Sequence, residues 1–353
     1  MFSVRTRSLR CRLLSLHPPA SARPMVTILL STYNGARFLP AQLQSFTAQN
    51  YKNWVLHWRD DGSTDATIAI MRDFTAHNPG RCIESPTSGP HLGASESFLT
   101  LLHEDAPAAM VAFADQDDVW LVEKLQHAVE ALTHAGNGPA LYCARQYLVD
   151  EALRGTKLSV PHRKAPGFPA SLTQNIANGN TLVMNTAAAA LVAAMGRPEG
   201  TVHDWWSYIV VSACGGRIIF DERPQVLYRL HKNNLIGSAR PLPARALAAI
   251  RRGPTVFMTM MRRHADMLAT GANHITPQAR GDLKTIQSAL YGGFSARLTA
   301  LRCSRFRRRT TLENLLFGFW LITERAANTR FQSPRRQTVP HPVTPAGLGT
   351  EAK

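Results

Sequence analysis

From Met25 onward, short runs of consecutive apolar residues alternate with longer stretches in which apolar positions recur every three or four residues. The short runs predict strands covered on both faces, and the longer periodic stretches predict the helices that cover them. Residues 26–30 read as a strand, and 38–49 as a helix with Phe38, Leu39, Leu43 and Phe46 on one side. A second strand is predicted over 53–58. Ser63 or Thr64 then caps a helix ending near His77 that carries Ile68, Ile70, Met71 and Phe74. A third strand (81–84), a helix (94–104), a fourth strand (110–114) and another helix (123–134) follow. This order predicts an α/β fold, a Rossmann-like and mostly parallel sheet flanked by helices.

After Gly136 the pattern loosens. Pro- and Gly-rich stretches at 136–139 and 161–169 predict loops over an active site. Residues 181–184 read as a strand, 186–195 and 205–214 as helices, and 217–221 and 225–230 as two short strands. Past Arg240 the chain reads as amphipathic helices broken by Gly and Pro, followed by a polar, Pro-bearing tail. Four segments result: an extension over 1–24 predicted to be disordered, a catalytic domain over 25–240, a basic, mainly helical extension over 241–330, and a disordered tail over 331–353.

Charge sharpens this division. The 353 residues carry a formal net charge of +16, a value that suggests a polyanion partner. Residues 1–24 hold five Arg and no acid, and residues 241–353 hold 18 Lys or Arg against five Asp or Glu. The segment between is therefore close to neutral. Contact with an anionic lipid surface or a phosphate-bearing lipid carrier belongs to the C-terminal third, where Arg302, Arg305, Arg307, Arg308 and Arg309 precede an apolar run ending at Ile322. That run is too short to cross a bilayer, which takes about 18 apolar residues. The five cysteines are widely spaced, odd in number and without a CxxC pair, which excludes a disulfide framework or zinc site as the organising feature and suits a reducing cytoplasm.

Candidate chemistry clusters where strands are predicted to end, the edge at which open α/β sheets bind ligands. Ser31-Thr32-Tyr33-Asn34-Gly35 follows the first strand, with hydroxyls, an amide and a ring suited to a nucleotide base. Asp60-Asp61-Gly62-Ser63-Thr64-Asp65 follows the second; Asp61 can accept from a pyrimidine N3–H. Asp115-Gln116-Asp117-Asp118 follows the fourth. Asp115 and Asp117, two apart, point the same way, and such crowded acids call for a hard divalent cation completed by substrate phosphates. His203-Asp204-Trp205-Trp206 places a carboxylate beside two indoles, suited to deprotonating a hydroxyl next to a sugar ring. Tyr228-Arg229-Leu230-His231-Lys232 adds a histidine for a metal shell and cations for diphosphate oxygens.

The ordered series STYNG, DDGSTD, DQDDVW, NGNT, HDWW and YRLHKNN resembles the family 2 inverting glycosyltransferases of GT-A fold, in particular their bacterial rhamnosyltransferase-like members. The resemblance covers about residues 25–240. It implies a metal-dependent enzyme that moves a hexose, rhamnose among the candidates, from a dTDP- or UDP-linked donor to a glycan or lipid-linked acceptor in cell-surface polysaccharide synthesis. By the same resemblance, Ser31, Thr32, Tyr33, Asn34 and Gln116 line the nucleotide pocket, and Asp61 reads the pyrimidine. Asp117 ligates Mg2+ or Mn2+, joined by Asp115 (also near the ribose) and His231. Asp204 is the catalytic base, and Asn178, Thr181 and Trp205 face donor sugar or acceptor. The chain departs from the family pattern at His91, Glu96 and Ser97 after the third strand, and at His203 before the base.

A sugar-phosphate nucleotidyltransferase would share the sheet, but wants a lysine-bearing glycine-rich loop after the first strand; STYNGA has none. A non-catalytic basic protein binding membrane or nucleic acid would use the C-terminal third and leave the acidic cluster without a purpose, so no nucleic-acid partner is expected. The predicted location is the cytoplasm, with peripheral contact on the inner face of the membrane.

Overall fold

The computed structural model describes residues 23–104, 109–155, 157–161, 167–231 and 254–323. Nearly all of the predicted extension 1–24, the tail 331–353 and Lys232 lie outside these residues. Nine strands form one sheet in the order β3-β2-β1-β4-β8-β6-β9-β5, with β7 paired to β6. The strands are β1 (Val26–Thr32), β2 (Trp54–Asp60), β3 (Cys82–Glu84), β4 (Met110–Ala114), β5 (Val119–Trp120), β6 (Ala140–Val149), β7 (Lys157–Leu158), β8 (Val183–Met184) and β9 (Arg217–Arg229). β3, β2, β1 and β4 are mutually parallel, whereas β8 runs antiparallel between β4 and β6.

All seven residues of β1 are buried, because neighbours flank it on both sides and helices cover both faces. Alternation divides the sheet's side chains between two cores. Leu29, Val111, Phe113, Leu141, Cys143 and Met184 face α3 (Ala94–Glu104), α5 (Thr186–Ala194) and α6 (His203–Ala213). Val26, Ile28, Leu30, Ala112, Tyr142 and Val183 face α1 (Leu39–Thr47) and α4 (Lys124–His134). The C-terminal helices α7 (Thr255–Thr270), α8 (Pro277–Tyr291), α9 (Phe294–Arg302) and α10 (Thr311–Thr323) join the first core through Met258, Met261, Leu268, Leu283, Ile286 and Leu290.

Three predicted features are corrected. The stretch after Gly136 is not irregular: β6 is a ten-residue strand, with its first five residues buried. Its run of consecutive apolar residues lacks alternation because both faces are covered. Pairing through β8 sets Ala140 level with the amino end of β4, so 136–139 lies at the edge opposite the carboxyl ends, away from the clusters. The two strands at 217–221 and 225–230 are one strand, β9, whose pairing with β6 shifts register around Arg145. Finally, α2 (Thr67–His77) is started by Asp65, whose carboxylate accepts from Thr67 N at 3.0 Å, and not by Ser63 or Thr64.

Candidate active site

At the carboxyl edge, the loops after β1 and β2 are bonded to each other. Asn34, at φ 46°, donates its N–H to Ser63 Oγ (2.9 Å) and accepts from Thr64 N through Oδ1 (2.8 Å). Gly35 N donates to Thr67 Oγ1 (2.8 Å) and Ala36 N to Asp65 (3.1 Å). Gln116 closes the other side: its amide accepts from Tyr33 N and donates to Tyr33 O, both at 2.9 Å. A Cβ at Gly35 would come 2.2 Å from Gln116 Oε1, so any side chain there would displace the Gln116 amide from Tyr33. The structure therefore brings Tyr33, Asn34 and Gln116 together in a preformed cradle. Ser31 and Thr32 end β1 and are buried. Thr32 does not line an open pocket as predicted; its hydroxyl donates to Asp60 at 3.0 Å.

Asp61 is held in place by its neighbours. Its side chain is 2% exposed and pairs with Arg59, which is fully buried, at 2.5 Å. Leu92 N (2.6 Å) and Gly93 N (2.8 Å) donate to the same carboxylate, and His91 Nδ1 stands 3.0 Å from Oδ2. Burial pushes the carboxyl up, but these two N–H groups and the Arg59 guanidinium outweigh it and hold it below the ordinary value. A carboxylate offers about four acceptor directions, and three are taken by Arg59, Leu92 N and Gly93 N. His91, whose side chain is 61% exposed, meets the Asp61 main-chain oxygen through Nδ1 at 3.1 Å. The His91 ring also packs on Tyr33, with centroids 4.7 Å apart.

The acidic turn after β4 is built differently. Asp118 is fully buried and turns aside, accepting from Asn180 Nδ2 (2.6 Å) and Arg229 N (3.1 Å). Asp117 meets His231 Nε2 at 2.7 Å. Asp115 makes no hydrogen bond from its carboxylate among the described residues; burial and the nearby Asp117 and Asp204 push it up to about 7. Beneath the turn lies Lys124, buried, with Nζ 3.1 Å over the Trp120 ring and no hydrogen-bond partner. Burial pulls Lys124 far down, opposed by Asp118 and Asp115. Arg229, predicted as a diphosphate contact, instead donates to Asp117 O (2.8 Å) and to Glu151 O, bracing the turn.

Asp204 stands in the first turn of α6, which begins two residues earlier than predicted. Gly179 N (2.9 Å), Trp205 N (2.5 Å) and Asn175 Nδ2 (3.1 Å) donate to it. Burial nevertheless pushes its carboxyl up to about 6. Gly179 admits no side chain, because a Cβ would sit 2.8 Å from His203 Nε2. Asn178 is exposed beside this group. Thr181 is not turned toward a sugar: it is buried, donating to Asn178 O (3.0 Å) and accepting from Ala144 N (3.2 Å). Trp205 is half-buried, its indole N–H on Ser171 O (2.7 Å) and its ring stacked on Phe257 at 6.3 Å.

Sequence reasoning passed over Asn175, Asn180 and Lys124. Lys124 carried a signal: a cation in the first turn of a helix opposes the macrodipole, so its place there asks for nearby acids. Among the described residues no group of three or more His, Cys, Asp or Glu side chains forms a closed metal site. The donor set still fits a divalent cation. Asp115 is a crowded carboxylate whose nearby cation, Lys124, is itself buried and pulled far down, Asp117 and His231 are adjacent, and oxygen-rich Mg2+-type sites with few protein ligands are completed by substrate phosphates.

The sheet order, the edge clusters and the paired acids define a glycosyltransferase of GT-A fold. Residues 27–197 match the family model described as glycosyl transferase family 2. It is 27% identical over 221 residues to the dTDP-rhamnosyl transferase RfbG of Shigella flexneri, a match covering 59% of this chain and 74% of that protein. It is 30% identical over 108 residues to the UDP-Glc:alpha-D-GlcNAc-diphosphoundecaprenol beta-1,3-glucosyltransferase WfgD of Escherichia coli, covering 31% of this chain and 41% of the relative. The fold is shared with S. aureus TarS 1–349, solved in complex with UDP-GlcNAc, at a TM-score of 0.52 and 18% identity, covering 75% of this chain and 71% of TarS. The domain match and relatives named as glycosyltransferases favour a transferase over the nucleotidyltransferase and non-catalytic readings.

Proposed function

We propose that the chain transfers a hexosyl group, with inversion, from a dTDP- or UDP-linked donor to a hydroxyl of a glycan or lipid-linked acceptor. The observation that carries this reading is the placement of Asp204 in one electrostatic neighbourhood with Asp115 and Asp117, its carboxyl raised to about 6. A base near neutrality is matched to taking a proton as a bond forms. The names of RfbG and WfgD, one a dTDP-rhamnosyl transferase and the other acting on a diphosphoundecaprenol-linked sugar, support the donor and acceptor classes. Residues 25–240 form the catalytic unit in this reading, with 241–330 as its extension.

The acceptor oxygen attacks the anomeric carbon while its proton passes to Asp204, and the bond from that carbon to the diphosphate oxygen breaks. The nucleoside diphosphate leaves from the opposite face, which inverts the configuration. Asn175 and the Gly179 N–H orient the Asp204 carboxylate toward the cleft. Tyr33 and His91 offer ring surface to the base, and Asn34 and Gln116 keep the loop in its binding shape. Mg2+ or Mn2+ held by Asp115, Asp117 and His231 would supply neutralising charge for the diphosphate.

The test is a screen of dTDP- and UDP-sugars for metal-dependent thermal stabilisation, followed by nucleoside diphosphate release with wild type and Asp204→Asn. Turnover in the variant is expected to fall about 10³-fold with donor affinity retained. A variant that turns over normally removes Asp204 as the base.

A further inference from the structure

Helix α10 buries Phe317 and Leu321 in the core and turns a second apolar face outward. Leu312, Leu315 and Phe319, spaced to form one stripe, are 75, 68 and 62% exposed. Val256, at the start of α7, is 70% exposed, and the neighbouring Phe257 ring meets Phe317 and Trp320 at 6.1 Å. Immediately before α10, residues 302–309 contain five arginines and no acid. Arg305 pairs with Asp282 at 2.9 Å, and Arg308 donates to Thr173 O at 2.8 Å. Arg302, Arg307 and Arg309, in the segment leading into α10, are exposed.

This face is tied to the candidate active site. Arg309 N donates to Gln174 Oε1 (3.1 Å), and the next residue, Asn175, donates to Asp204 (3.1 Å). On the other side, Phe257 stacks on Trp205, the neighbour of Asp204.

We propose that α10 and the 302–309 arginines dock the enzyme on an anionic lipid bilayer, with the Asp204 end of the cleft at the membrane surface. An apolar stripe preceded by arginines matches an anionic interface in both of its components: the side chains enter the acyl boundary while guanidinium groups remain with headgroup phosphates. With 13 residues, α10 lies along the surface, and no helix among the described residues is long and apolar enough to cross it. A lipid-linked acceptor would then meet Asp204 without leaving its bilayer; this orientation rests on the reading of Asp204 above, whereas docking itself does not.

The test is flotation of the full chain with vesicles of phosphatidylcholine alone and of equal parts phosphatidylcholine and phosphatidylglycerol. Wild type should float with the anionic vesicles and release at high salt. Arg302→Gln/Arg307→Gln/Arg309→Gln should weaken the partition on the order of 100-fold at low salt. Leu312→Glu/Leu315→Glu/Phe319→Glu should abolish flotation while keeping the wild-type melting temperature and transfer to a water-soluble acceptor, and should lose transfer to an acceptor embedded in vesicles. Equal flotation with both vesicle types, or by both variants and wild type, overturns the proposal. A dimer that the Glu variant converts to monomer with vesicle binding unchanged also overturns it, assigning the face to a second copy. Asp204→Asn should float as wild type does, so a failed base assignment and a failed docking surface give different results.

Discussion

The loops after β1 and β2 and the acidic turn after β4 share one edge of the sheet, yet their polar groups are in opposite conditions. In the first region, the carboxylates have filled shells: Asp60 accepts from Gly62 N, Ser63 N and Thr32, and Asp61 from Arg59, Leu92 N and Gly93 N. In the second, Asp115 makes no hydrogen bond from its carboxylate among the described residues, and Asp204, which faces it from α6, is raised despite three donors. Satisfied groups hold a shape. Crowded, buried carboxylates keep free energy available to a cation or a proton, as groups poised for chemistry do. The side built by the β1 and β2 loops is therefore a finished scaffold, whereas the acidic side keeps capacity for a cation or a proton.

The largest expected break in this comparison is Asp117→Ala. Metal-dependent donor affinity, measured by calorimetry with dTDP or UDP sugars and Mn2+, should fall at least about 100-fold, with little difference from wild type in chelator. Unaltered affinity with and without chelator would remove the metal assignment.

Next comes Asp61→Ala, which strands the buried Arg59 charge. The expected loss is about 3 kcal/mol in urea unfolding, whereas Glu84→Ala, breaking the exposed pair with Arg72 at 3.5 Å, should cost less than about 1 kcal/mol. Similar losses for both would show that the Arg59–Asp61 pair is no scaffold element.

A pH series sharpens the acidic side. Asp204 and Asp115 have folded values of about 6 and about 7, above the ordinary 3.8. The folded state therefore binds more protons, and its stability, full below about pH 4, is lost as pH rises through 6 to 7. In chelator, the wild type should be several kcal/mol less stable at pH 8 than at pH 4, about 1.4 kcal/mol for each unit by which the two carboxyls are raised, a slope that Asp115→Asn reduces. Turnover should run the other way, rising through pH 6 as Asp204 ionises. A flat stability profile in chelator would refute the crowding.

The smallest effect is expected from His91→Ala. Removing the ring beside Tyr33 and its contact with Asp61 should change donor KM a few-fold, with stability within about 0.5 kcal/mol. An unchanged KM across dTDP- and UDP-sugars would exclude His91 from the base pocket.

Much of the scaffold was legible before any coordinates. Helix 94–104 and strand 110–114 match α3 and β4 residue for residue, because each is a long apolar-periodic or fully buried run bounded by breakers. β6 was not legible, since a strand buried on both faces loses the alternation that marks it. Among site residues, the Asp115, Asp117, His231 and Asp204 grouping follows from motifs at strand ends. The burial of Thr32, Asp61 and Thr181 does not follow, because a hydroxyl or carboxylate in a polar motif reads the same whether it faces a cleft or closes a loop.

The amino-acid sequence alone determined the α/β class, the order of elements up to β4, the confinement of basic charge to the chain ends and the acids available for chemistry. These depend on local periodicity and on residue type. Only the tertiary structure decided which acids are saturated and which are crowded, set Lys124 under the acidic turn, and joined the arginines of 302–309 to Asp204 through Gln174 and Asn175. Those outcomes depend on distances between segments far apart in the chain, where burial and hydrogen-bond partners, not composition, set the state of each charge.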